Sequence, residues 1–299
     1  MKLRVMHRTT YHYGEPVTTA HHEARLSPRD REHQRVLNHE VEVVPQPEAY
    51  RRRFDYFGNR TLNFSLSEPH RSLQVTARSL VDLTRMPPPA LDASPAWDVV
   101  RQRLHDDRHR DVLDAYSMTF NSPRVAISDT LRAYAEPSFP EGRPLFQGVR
   151  DLVSRIHADF RYDGNATEIH TPLEHVMRER SGVCQDFAHV AIGCLRSLGL
   201  PARYVSGYLL THPPAGRPKL VGADASHAWF ATFAPGFGWL DFDPTNDLIP
   251  EDGHVSIAFG RDFDDVTPIR GVILGGGAHE LAVAVDVDPL PADESQAAP

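Results

Sequence analysis

Three side chains in this sequence have the types and spacing for nucleophilic chemistry: Cys184, His227 and Asp243. A thiol attacks a carbonyl carbon once a base takes its proton, and the base works best when a third group orients it. None of the three is a signal alone. The chain holds 17 histidines and 40 acidic residues, so only elements that bring the three together would single them out.

The cysteine comes with a helix. Val183, Phe187, Val190, Ala191, Cys194, Leu195 and Leu198 recur at the spacing of an apolar helical stripe, which predicts a helix buried on one side. Gly199 supplies a left-handed cap and Pro201 prevents continuation. Cys184 then falls in the first turn, where unpaired backbone N–H groups and the helix dipole favour a thiolate and can face an oxyanion. Location alone does not separate this role from that of a small buried hydrophobe. Cys194 lies on the stripe and reads as core. It is about 15 Å along the axis from Cys184, too far for a disulfide.

Three strand-like runs follow, over 202–210, 228–233 and 237–243. Ala234-Pro235-Gly236 is a short turn. A hairpin centred on Pro235 sets His227 directly opposite Asp243, within reach of an imidazole–carboxylate bond. Asp241 is the rival orienter, facing Trp229 in the same register. Asp243 could equally be a plain turn-starting residue before Pro244, and His227 a structural histidine.

The quoted residues resemble a known family. Ser181-Gly182-Val183-Cys184-Gln185-Asp186-Phe187-Ala188, continued by Leu198-Gly199-Leu200-Pro201-Ala202-Arg203-Tyr204-Val205-Ser206-Gly207, is similar to the nucleophile helix and first strand of the transglutaminase-like superfamily. Ser226-His227-Ala228-Trp229 resembles its histidine motif, and Gly238-Trp239-Leu240-Asp241-Phe242-Asp243-Pro244-Thr245 its aspartate motif. Asp55-Tyr56-Phe57-Gly58-Asn59 resembles the N-terminal region of bacterial transglutaminase-like proteins. His254-Val255-Ser256-Ile257-Ala258-Phe259-Gly260-Arg261-Asp262, with Asp265-Val266, resembles their C-terminal signature.

The resemblance implies a papain-like core with Cys184 as nucleophile, His227 as base and Asp243 as orienter. It implies acyl transfer from an amide of a peptide or protein through a thioester, with no cofactor and no required metal. It leaves water or an amine as the acceptor, and hydrolysis is the first expectation. A non-enzymatic peptide-binding or assembly module using the same cleft is the alternative. The second oxyanion donor is open between Gln185 and Tyr162. Asp186 reads as a residue behind the nucleophile, and Trp229 as packing before substrate contact. Arg261 and Asp262 either line the site or form a structural salt bridge. A zinc site is disfavoured: Cys184 and His189 lie about 140° apart around a helix, and His21, His22, His170 and His175 have no ligand spacing.

Composition bounds the rest. The 299 residues suit two domains, and 40% hydrophobic with 24% charged residues is ordinary globular material. A net charge of −8 argues against nucleic acid, and two cysteines against a disulfide scaffold. No apolar run suggests a membrane span, and the first residues lack a signal peptide, so a cytoplasmic protein is expected. The expected class is α+β. An N-terminal antiparallel β-sandwich-like domain (1–90) precedes a helical region (91–160), in which Ser94-Pro95 opens one helix, Ser128 caps another and 145–160 forms a third. A transglutaminase-like core (161–250) follows, with the nucleophile helix packed on an antiparallel sheet. C-terminal strands (251–288) complete the fold before a disordered tail (289–299). Met86-Pro87-Pro88-Pro89 reads as a linker.

Overall fold

The computed structural model describes residues 1–85, 87, 90–211 and 226–291. The expected linker therefore lies outside the described residues except for Pro87, and the expected tail does so beyond residue 291.

Five strands come first: β1 (Lys2–Ala24), β2 (Gln34–Val44), β3 (Ala49–Phe54), β4 (Arg60–Leu66) and β5 (His70–Leu83). They form an antiparallel sheet in the order β2-β5-β1-β4-β3. Alternation in β1 turns Leu3, Val5, His7 and Thr9 inward. The ladder between β1 and β5 shifts register between His12 and Val17. Gly14 and Pro16 interrupt the strand there, the usual place for a bend. Beyond it β1 pairs with β4 through Ala20–Ala24. The sheet thus curls over its own apolar cluster, which includes Tyr13, Val17, Leu62, Phe64, Leu73 and Val75. At the other end the same inner face, with Leu3, Val5 and Val81, joins the core beneath the helices.

Next come α1 (Trp97–Asp106), α2 (Arg110–Tyr116), α3 (Asp129–Ala135) and α4 (Leu145–Asp159). Ser128 caps α3, its hydroxyl accepting from Leu131 N at 3.3 Å. Ser94 does not cap α1. Its hydroxyl donates to Leu91 O at 2.9 Å and accepts from Phe146 N at 3.1 Å, satisfying a buried first-turn N–H of α4 instead.

The core adds β6 (Arg161–Tyr162), α5 (Leu173–Glu179), β7 (Ser181–Gly182), α6 (Cys184–Ser197), β8 (Ala202–Leu209), β9 (Ser226–Ala234), β10 (Gly238–Phe242), β11 (His254–Gly260) and α7 (Phe263–Val266). A four-stranded antiparallel sheet, ordered β10-β9-β8-β11, packs against α6. Helices α3, α4 and α5 also pack on α6, so it is buried all round from Asp186 to Ser197 rather than on one side. Its polar residues allow this. The Arg196 guanidinium donates to Met118 O, Ser122 Oγ, Ala202 O and Arg261 O. The helix ends as expected: Gly199 has φ +77°, its N–H reaches Arg196 O, and Leu200 N reaches Leu195 O, each at 2.9 Å.

The last strands divide. β11 completes the core sheet, whereas β12 (Ile269–Gly275) and β13 (His279–Pro289) return to β1. β11 has one outer edge, and side chains of the first domain cover it. Gln34 Nε2 donates to Ser256 O and Gln34 Oε1 accepts from Ser256 N, both at 2.8 Å. Asn59 Nδ2 donates to Phe259 O at 2.7 Å while its Oδ1 accepts from Phe259 N at 2.8 Å. Two carboxamides thus stand in for a neighbouring strand. The Asp55–Asn59 turn exists to aim one of them: Asp55 Oδ1 accepts from Phe57 N and Asn59 N, and Gly58 sits at φ +72°.

Candidate active site

Cys184 opens α6, and the residues before it set its angle. β7 pairs in parallel with β6, which places Tyr162 beside Gly182. Asp186 reaches back from the first turn, its Oδ2 accepting from Val183 N at 2.8 Å and from Thr167 Oγ1 at 2.6 Å. Burial raises the Asp186 carboxyl above its ordinary range, against the opposing effect of these two bonds. A Cβ at Gly182 would meet Asp186 Oδ2 at 2.6 Å, so glycine is needed for the close approach. Asp186 therefore braces the helix start and does not point at the sulfur. The first-turn N–H groups of α6 have no intrahelical acceptors, which leaves the Cys184 N–H available to an oxyanion.

His227 and Asp243 come from the β9–β10 hairpin. Gly238 pairs with Ala234 and Phe242 with Phe230. The register is two residues away from one centred on Pro235, and Asp243 stands opposite Trp229 by its extension. A shift of two preserves the face. His227 and Asp243 therefore meet diagonally, with Nε2 2.8 Å from Oδ2. The turn that shifts the register uses two left-handed glycines, Gly236 (φ +86°) and Gly238 (φ +76°).

Asp243 is fully buried and works on both sides. Its Oδ1 accepts from Thr245 N at 2.9 Å and Asn246 N at 3.2 Å, the bland turn role. Its Oδ2 accepts from His227, from Asn246 Nδ2 at 2.7 Å and from His254 Nε2 at 3.0 Å. Burial would raise this carboxyl; the hydrogen bonds from His227 and His254 outweigh it and hold it far below the carboxylate range. Burial would likewise lower His227, but its bond to Asp243 and the neighbouring Cys184 push it up to about 10. Since Nε2 is spent on Asp243, Nδ1 is the ring nitrogen left for the thiol.

The other expected residues separate. Trp229 is fully buried over Gly207, where any Cβ would strike its ring, and its Nε1–H donates to Asp241 Oδ2 at 2.9 Å. It packs and does not face solvent. Asp241 is held by Arg31, NH1 to Oδ2 at 2.6 Å and NH2 to Oδ1 at 2.9 Å. Gln185 turns its amide toward Ile169 O at 3.4 Å. Tyr162 is 58% exposed, with its ring edge-on to Phe187. Burial raises its hydroxyl and the neighbouring Cys184 adds to the shift, so Tyr162 lies at the mouth of the site. Arg261 pairs with Asp265, and Asp262 caps α7 through Asp264 N. His189 accepts from Phe263 N and is no partner of Cys184.

Sequence reasoning missed His254, Asn246 and Arg31. His254 lay inside the quoted C-terminal signature, and Asn246 one residue past the aspartate motif; neither type stands out by local pattern. The ligand atoms of His227, Asp243 and His254 lie within 4.8 Å of one another, the one such group among the described residues. A cation there would replace the imidazole protons that now bind the carboxylate.

A helix-borne thiol facing a sheet-borne imidazole and carboxylate defines the papain-like class. Residues 3–82 match the bacterial transglutaminase-like N-terminal region, and 132–244 match the transglutaminase-like superfamily. An uncharacterized protein of Mycobacterium tuberculosis (strain H37Rv) is 39% identical over 98% of this chain and 94% of its own. One of Mycobacterium leprae is 34% identical over 97% and 99%. The chain belongs to the transglutaminase-like superfamily. A protein-glutamine gamma-glutamyltransferase of Pseudomonas aeruginosa is 32% identical over 140 residues, 44% of this chain and 19% of that one. The fold is shared with a Cytophaga hutchinsonii protein proposed to be a cysteine protease, with TM-score 0.74 and 24% identity over 98% and 92% of the two chains. No helix among the described residues is long and apolar enough to cross a membrane.

Proposed function

We propose that this chain is a cysteine-dependent enzyme that cleaves amide bonds of a peptide or protein through a thioester. One observation carries the reading: the imidazole of His227 is bonded to a buried Asp243 and has Cys184 as its neighbour, whose sulfur helps to raise it. In this mechanism Cys184 Sγ gives its proton to His227 Nδ1 and attacks the amide carbonyl. The Cys184 N–H receives the oxyanion. The imidazolium protonates the leaving nitrogen, the C–N bond breaks and an S-acyl enzyme remains. Water then attacks, returning a proton to His227; the C–S bond breaks and a carboxylic acid leaves. An amine in place of water would give a new amide, the reaction named for the Pseudomonas relative. Water is the acceptor expected here.

The test uses iodoacetamide at pH 7, with the modified residue read by mass spectrometry. Cys184 in the wild type is expected to label at least tenfold faster than in His227→Ala. Equal rates would sink the reading and favour a non-catalytic cleft. A protected glutaminyl peptide, with and without hydroxylamine, then separates the acceptors: free acid and ammonia report water, hydroxamate reports an amine.

A further inference from the structure

We propose that His254 is a positioning residue for this reaction, one that donates its Nε2–H to Asp243 Oδ2 and thereby fixes the direction in which the carboxylate holds His227. The proposal rests on the reading of Cys184 and His227 as nucleophile and base.

An ionised carboxylate can only accept hydrogen bonds. Both imidazole nitrogens that face Oδ2, at 2.8 and 3.0 Å, must therefore carry protons, which sets both tautomers. Asn246 Nδ2 is a third donor at 2.7 Å. The three come from three segments: β9, β11 and the turn after β10. Rotating the Asp243 side chain would break all of them, together with the two bonds at Oδ1, at a fully buried position. The carboxylate thus has one orientation, and His227 has one ring plane from which to present Nδ1 to the thiol. Without His254, Oδ2 loses one of its three donors and the carboxylate is less tightly held.

His254 is 5% exposed, so it acts through Asp243 and not on substrate. Its own place is fixed twice. Its ring meets Trp229 edge-on at 5.1 Å, and Trp229 is tied through Asp241 to Arg31. It also begins β11, the strand whose outer edge is held by Gln34 and Asn59. Residues of the first domain therefore reach the triad by two routes, Arg31–Asp241–Trp229 and Gln34/Asn59–β11, and both end on His254. This gives the N-terminal domain a part in aligning the site.

The experiment compares wild type, His254→Ala, His254→Gln and His227→Ala by iodoacetamide labelling of Cys184 at pH 7, with melting curves to confirm folding. His254→Ala should slow labelling about tenfold, the scale of one charge-assisted hydrogen bond. His254→Gln, whose amide can reach the same oxygen, should recover to within about threefold of wild type. In parallel, protein carrying [15N]histidine and Cys184→Ser should show slowly exchanging imidazole Nε2–H protons assigned to both His227 and His254, and His254→Gln should remove the second. Wild-type labelling in His254→Ala, equal slowing in the Ala and Gln variants, or no protected Nε2–H at His254 would each overturn the proposal. If His227→Ala labels at the wild-type rate, the base assignment fails instead; if it labels slowly while His254→Ala does not, only the role of His254 fails.

Discussion

Asp241 and Asp243 are two carboxylates on one face, two residues apart, and their surroundings assign them different work. Asp241 is paired with a guanidinium from the first domain and an indole N–H. Burial opposes its ionisation, and Arg31 overrides burial to hold it at about 2. Arg203, stacked between Trp239 and Phe259 at 4.1 and 3.8 Å, adds a second positive charge nearby. Guanidinium does not titrate near neutrality, so this cluster stays fixed in charge. Asp243 is paired instead with two imidazoles and an amide, and with no guanidinium. The carboxylates are alike. What differs is the partner: Asp241 ties the segment after β1 to β10, whereas Asp243 holds the imidazole proposed as the base.

The largest effect that would sharpen this contrast is on turnover. Asp243→Asn should reduce peptide cleavage about 100- to 10,000-fold, the range for loss of a working acid–base pair, whereas Asp241→Asn should cost less than tenfold. A similar loss in both variants would break the distinction. Stability should rank them differently. Asp241→Asn leaves Arg31 and Arg203 facing each other without a counter-charge and should cost about 3 kcal/mol in urea unfolding. The pH dependence of unfolding gives a third measure. His227 is raised above its ordinary 6.5, so its contribution is complete below that value and disappears as pH rises toward 10. Asp241 is depressed, so its contribution is complete above 3.8 and disappears as pH falls toward 2. His227→Ala should flatten the alkaline limb and Asp241→Asn the acid limb; the reverse pattern would refute the assignment. The smallest effect concerns the oxyanion. Gln185→Ala should change turnover less than threefold because its amide is turned toward Ile169 O, and a larger loss would return Gln185 to the oxyanion position.

The helix that carries Cys184 could be read locally, because periodicity, the Gly199 cap and Pro201 are all near-neighbour signals. The hairpin was readable as a face and not as a register. His227 and Asp243 share a face under either register, since the side-chain period is two, but two left-handed glycines placed the turn one residue later than Pro235 suggests. His254 was beyond such reasoning, as its partner is fixed only once β11 has joined β8. The same holds for the one-sided burial expected of α6. Arg196 looks like a solvent-facing residue until three carbonyls and a serine hydroxyl surround it. Likewise, nothing in the alternation of 269–289 says that these strands leave the core sheet for β1.

That return has a consequence for the order of assembly. Leu3 is paired with Pro289, and Val17 with Gly275. During synthesis the first strand to emerge must wait for residues made more than 250 positions later, after the whole thiol-bearing core. At about 5–20 residues per second this interval is of the order of 10–60 s. Until then β1 presents a long unpaired edge on one side, and the domain that braces His254 is unfinished. The last strands made therefore close the protein's first domain and, with it, the support for the site.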